Sequence, residues 1–202
     1  VIKTQLINNM PTGAELIKQV KFGTAVGLTK LAKAAQREVV TSITSTFTTR
    51  GRWFEQSNRM GIKITPAKPN KLYSEVKTLA DWLESHERGG TKTPKGRSRL
   101  SVPLWGARPK GSRRVLSKSL RPQALLAAGK AFMLKTPFGE IIATTRGRGS
   151  NSRIVPLYGL ERSVKIRKRS TFYEPIRRVL AKNGTHILER EVINALRTAK
   201  KR

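Results

Sequence analysis

The chain contains no cysteine, so it can form neither a disulfide framework nor a thiolate metal site. It has two histidines, His86 and His186, far apart in sequence, which argues against a zinc centre. Acidic residues are scarce: 12 Asp and Glu stand against 42 Lys and Arg in 202 residues, and Asp81 is the one aspartate. Metal-assisted cleavage of phosphodiesters needs several carboxylates around hard cations. The nearest approach is Asp81, Glu84 and Glu87, three residues apart with His86 beside them, and it reads as an exposed acidic stripe on one helix. Aromatic residues make up 6% of the chain, too few to support base stacking along a single strand. Trp53 with Phe54, Trp82 and Trp105 are therefore expected in core or subunit packing. The longest uncharged runs, Thr4–Ala14 and Val39–Thr49, have eleven residues each and are too short to span a bilayer. Residues 1–10 lack the regions of a signal peptide, so synthesis in a reducing cytoplasm is expected.

Nucleotide and nucleophile motifs are missing as well. There is no Gly-x-Ser-x-Gly elbow and no Gly-x4-Gly-Lys-Ser/Thr loop. Gly147-Arg148-Gly149-Ser150-Asn151-Ser152 imitates the start of a dinucleotide fingerprint but lacks its third glycine and the helix that must follow. Asn183-Gly184-Thr185 is a glycosylation sequon in letters only. The expectation is a non-enzyme with no cofactor and no metal.

What the chain has is positive charge, a formal +30. Like charges on one body repel and lower its stability unless an anionic partner offsets them. Duplex DNA carries about one charge per ~1.7 Å of axis, so the excess would balance at most roughly 50 Å of duplex. The charge is concentrated: no acidic residue lies between Glu87 and Glu140, and thirteen basic residues fall in that gap. Residues 88–99 add Gly89, Gly90, Thr91, Thr93, Pro94, Gly96 and Ser98, a composition that reads as an extended loop. The candidate contacts to nucleic acid or to a neighbouring subunit are Arg88, Lys92, Lys95, Arg97, Arg99, Arg108, Lys110, Arg113, Arg114, Lys118, Arg146 and Arg148. Such contacts to phosphate are independent of base sequence. No zinc finger, leucine zipper or aromatic RNA-binding signature is present to read bases.

Around that arm the pattern is α+β, within a single domain over 1–202 that carries 88–121 as the basic extension. A long N-terminal helix is expected from Pro11-Thr12 to about Thr49, with Leu28, Leu31, Ala35, Val39, Ile43 and Phe47 on one face. The β-branched run from Val39 predicts fraying or bending near its end. A hairpin over 61–78 and a short helix near 79–87, stopped by Gly89-Gly90, follow. Leu100, Val102 and Leu104 suggest a short strand, and 116–128 a helix broken at Pro122. Residues 130–146 read as a second hairpin around Thr136-Pro137-Phe138-Gly139, Arg146–Ser152 as a flexible basic loop, and Ile154–Ile166 as a strand placed by Pro156 at an edge or a start. Helix closes the chain, with Pro175 in its first turn and Asn183-Gly184 dividing or bending it. The hairpins are expected to form a small antiparallel sheet.

The order of these features resembles a known family. The long helix leads to Arg50-Gly51-Arg52-Trp53. Trp82-Leu83-Glu84-Ser85-His86-Glu87-Arg88-Gly89-Gly90, the basic middle, Val155-Pro156-Leu157-Tyr158-Gly159-Leu160, Val164-Lys165-Ile166 and a closing helix follow. Over roughly residues 20–198 this layout resembles the minor tail protein Z group of tailed bacteriophages, the tail completion or neck proteins of the lambda type. The resemblance implies a virion component at the head-proximal end of the tail, a homo-oligomeric ring, hexameric like neck rings. Its neighbours would be head-connector and tail proteins, and double-stranded DNA would pass through it. It carries no fixed set of functional residues to transfer. From the residues alone, two other readings stay open: an RNA-binding ribosomal or ribonucleoprotein component, and a basic nuclease or toxin resting on Asp81, Glu84 or His86.

Overall fold

The computed structural model describes residues 12–49, 51–96, 98–108 and 116–199. The fold is α+β, with a long N-terminal helix, small antiparallel sheets and a C-terminal helix. The described residues separate into two compact units. One comprises 12–47, Trp53–Leu83 and 170–199; the other comprises Thr48–Arg52 and Glu84–Arg169.

The first unit is built on α1 (Gly13–Thr46) and α4 (Tyr173–Ala199). A capping box starts α1: the Thr12 amide donates to Glu15 Oε2 at 2.8 Å, and the Glu15 amide donates to Thr12 Oγ1 at 3.3 Å. The β-branched run after Val39 stays helical to Thr46, because Val39 and Ile43 are wholly buried there and packing outweighs propensity. Small residues let α4 come close: Gly23 faces Val192 and Ala195, and Gly27 faces Leu188. The contacts run in opposite order along the two helices, with Glu38 meeting Arg178 farther on, so the pair is antiparallel.

Val39, Ile43, Ile62, Ala80, Leu83 and Phe172 form this unit's core. The expected first hairpin is present as β1 (Lys63–Thr65) and β2 (Glu75–Lys77), with Ile64 opposite Val76. It is tied to α1 by the Gln36 side chain donating to the Ile62 carbonyl and by the Ala67 amide donating to Thr29 Oγ1 at 3.1 Å. Trp82 stacks edge-on against Phe47 and Trp53, at centroid distances of 5.6 and 4.8 Å, so both tryptophans pack at the core's margin. Asn183-Gly184 does not divide α4, which is continuous from Tyr173 to Ala199. A single glycine costs a helix only about 1 kcal/mol, and packing against α1 exceeds that. Pro175 falls in the first turn, where its missing N–H costs nothing.

The second unit contains a four-stranded antiparallel sheet in the order β4 (Leu100–Pro103), β7 (Arg153–Glu161), β6 (Gly139–Arg146), β5 (Phe132–Thr136). Leu125, Ile142, Val155, Leu157 and Tyr158 make its core. Leu125 comes from α3 (Pro122–Ala127), with Pro122 at the helix start; of the helix expected over 116–128, this segment and a 3-10 turn at Lys118–Leu120 are formed. The strand expected over 154–166 is two, β7 and β8 (Val164–Ile166), which pair with different partners. Pro156 does not start its strand but lies on a stretch of β7 that has no β4 partner. It is the fourth residue of β7, opposite Ala143 of β6 where the register shifts, and beyond the pairing with β4, which ends at Tyr158. That irregularity accommodates a residue unable to donate to the ladder.

Within 88–121, read as a basic extension, the short strand expected at Leu100, Val102 and Leu104 forms as β4, while the stretch 88–99, expected as an extended loop, contains β3 (Gly90–Lys92), paired antiparallel with β8. Its local composition forms no core, but its backbone groups find partners on distant strands. Among the described residues no helix is long and apolar enough to cross a membrane.

Candidate nucleic-acid interface

The segments that make the second unit carry 23 Lys and Arg against 4 Asp and Glu. Four carboxylates cannot neutralise 23 cations, and among the described residues some candidates are held within the fold while others are exposed.

Three of the twelve candidate residues are committed within the fold. Arg88, at the end of α2 (Asp81–Arg88), lies 2.7 Å from Glu84 one turn earlier, an exposed pair. Arg99 Nε stands 3.4 Å from Glu140 Oε2 and its Nη1 donates to the Leu160 carbonyl at 3.5 Å, so it joins β4, β6 and β7. Arg108 buries its Nε, which has no hydrogen-bond partner among the described residues. Its charge acts on Tyr158, where burial nevertheless pushes the phenol above its ordinary value. The Tyr158 hydroxyl donates to the Leu120 carbonyl, anchoring the turn that carries Lys118. Arg97, Lys110, Arg113 and Arg114 lie outside the described residues.

The other five are exposed and form no ion pair among the described residues: Lys92, Lys95, Lys118, Arg146 and Arg148. They fall in distinct places. Lys92 ends β3, and its partner strand β8 brings Lys165 opposite Thr91 and continues into Arg167, Lys168 and Arg169. The Arg169 amide donates to the His86 carbonyl at 2.7 Å. The His86 imidazole is held below its ordinary value, first by burial and then by the positive charges of Arg169 and Lys92. Arg146 ends β6, Arg148 precedes a 3-10 turn, and Arg153 begins β7 directly opposite Arg146. Arg146 also lines a cleft of about 370 Å³ with Lys130, Thr144, Gly106, Ala107 and three leucines.

Sequence reasoning therefore missed Arg153, Arg162, Lys165, Arg167, Lys168 and Arg169. The signal was five basic residues within 162–169; the alternation of Val164 and Ile166 drew attention to the strand and away from its charge. Among the described residues no group of three or more His, Asp or Glu could hold a metal ion. Glu87 is buried and His186 is exposed on α4. What the arrangement offers a polyanion is a set of exposed cations carried on paired strands at several separate points. Comparison with models of known families, with curated proteins and with solved structures finds no match for this chain.

Proposed function

We propose that this chain is a structural component of a tailed-phage particle, a tail completion or neck protein, and not an enzyme. In this reading it assembles as a homo-oligomeric ring, hexameric, between the head connector and the tail, around the path of double-stranded DNA. The observation that carries the proposal is the uncompensated charge of the second unit, 23 basic residues against 4 acidic, with exposed cations on the β3–β8 and β6–β7 ribbons. A ring concentrates such surfaces on one lumen, where repulsion between copies is severe unless a polyanion fills it. Packaged duplex supplies that polyanion, and passage without stopping requires contacts that ignore base sequence.

The test is to image particles assembled with and without the chain. A ring of this protein at the head–tail joint, lost with the gene product, is the expected result. Monomers scattered through the particle overturn the ring, and co-sedimentation with ribosomes in place of particles favours the ribonucleoprotein reading.

A further inference from the structure

We propose that the open end of the β6–β7 ribbon is a phosphate clamp for the backbone of duplex DNA, an assignment that rests on the DNA-path reading above. Arg146 and Arg153 are register partners. Residues directly opposite on antiparallel strands hold their Cβ atoms roughly 4.5–5.5 Å apart on the same face, and like charges placed so destabilise the pair. Both are exposed, and among the described residues no carboxylate pairs with either. The fold thus carries an electrostatic defect that an anion seated between the two guanidinium groups would remove. Guanidinium forks suit this task, because their planar donors match phosphate oxygens two at a time.

The surroundings favour the same occupant. Alternation along the strands puts Arg146 on the face of Thr144, and Arg153 on the face of Val155. Lys130 and Thr144 line a cleft with Arg146, so a further cation shares the surroundings of one of the two arginines. The tip between the strands is formed and contains no acid. Gly147 has a φ of 103°, and a Cβ there would stand 2.3 Å from the Asn151 carbonyl oxygen. The amides of Asn151 and Ser152 donate to the carbonyls of Arg148 and Gly149 at 3.3 and 3.1 Å. Small residues at the tip, with Arg148 among them, allow close approach to a sugar-phosphate backbone, and a two-stranded ribbon fits the major groove.

The experiment uses the full chain and a short mixed-sequence duplex, with affinity measured across a series of salt concentrations and melting temperature measured without DNA. Arg153→Gln should reduce the slope of log affinity against log salt by about 0.9, the share of one phosphate contact. Arg153→Glu should weaken binding further yet raise the melting temperature of the free protein by about 1–4 °C, because it turns a repulsive cross-strand pair into an attractive one. Arg177→Glu, the same charge change on an exposed position of α4, is the control. The clamp is overturned if Arg153→Glu weakens binding no more than Arg177→Glu does, or if it lowers the melting temperature. It is also overturned if polyglutamate competes as well as DNA for the wild-type protein. Should the wild-type chain show no salt-dependent affinity for duplex, the DNA-path reading fails and inorganic pyrophosphate decides the clamp. A melting temperature raised by pyrophosphate in wild type but not in Arg153→Glu retains it for small phosphates, and equal rises in both remove it.

Discussion

A Cβ built on Gly23 would stand 2.7 Å from the Val192 Cα and 2.8 Å from the Glu191 carbonyl oxygen, so α1 and α4 meet backbone to backbone at this point. Neither neighbour is a movable side-chain tip. Gly23→Leu should therefore force the helices apart and destabilise the protein by about 1–3 kcal/mol or more. Gly184, inside α4, has nothing within 4 Å of its added Cβ. Gly184→Ala should stabilise by about 0.5–1 kcal/mol, since it removes only the entropic cost of glycine in a helix. Urea midpoints of the two variants should move in opposite directions.

Glu191 is buried against α1, with Lys30 Nζ at 2.6 Å and Arg190 Nε at 3.0 Å. The Lys30 hydrogen bond, with help from Arg190, holds its carboxyl below the ordinary value of 4.5. The unfolded chain therefore binds this proton more readily than the folded one. The stabilisation is present above that ordinary value and is lost as pH falls toward the depressed folded one. Glu191→Gln should flatten the decline of melting temperature below pH 4.5 and leave the protein less stable than wild type at neutral pH.

Arg99 and Lys92 belong to the same basic stretch but should answer differently to truncation. Arg99→Ala removes a half-buried partner from Glu140 and a donor from the Leu160 carbonyl, so it should cost about 1 kcal/mol of stability and leave the salt dependence of DNA binding unchanged. Lys92→Ala combined with Lys165→Ala removes two exposed cations of the β3–β8 ribbon. If both meet phosphate, the slope of log affinity against log salt should fall by about 1.8 with little change in the urea midpoint.

Burial, and then the positive charges of Arg169 and Lys92, hold the His86 imidazole below its ordinary value of 6.5. As pH falls through 6.5, the unfolded chain takes up this proton first. The contribution of the neutral ring to stability is therefore complete above that pH and declines below it. A phosphate bound at Lys92 and Arg169 would offset the charges that oppose protonation, so affinity for duplex should rise on the acid side of neutrality. His86→Gln should abolish that rise, measured as affinity against pH at fixed salt.

How much of this was legible in the chain depended on how far apart the partners lie. The apolar stripe from Leu31 through Ala35, Val39 and Ile43 was readable because a helix brings residues three or four apart together, and all four are buried. The hairpin turn at Thr136–Gly139 was readable for the same local reason. β3 was not: Gly90, Thr91 and Lys92 include no apolar side chain, and their strand geometry comes from β8. The continuity of α4 through Gly184 likewise depends on a helix from the other end of the sequence. The candidate interface shows the same division. Basic composition marked the region, but the commitment of Arg99 to Glu140, and the placing of Arg153 opposite Arg146, are tertiary facts.

The path of the chain has one further consequence. The second unit comprises the short segment Thr48–Arg52 and the longer Glu84–Arg169, which follows Leu83 and precedes Ser170. The two ends of the longer segment are fastened together: the Arg169 amide bonds the His86 carbonyl, Gly89 packs on Lys168, and Gly90 pairs with Ile166. That neck is closed by the longer segment's own backbone, but the unit is completed by Thr48–Arg52, which comes earlier in the chain. Grafting this head onto another host would therefore take both segments, with four chain junctions to satisfy in place of two.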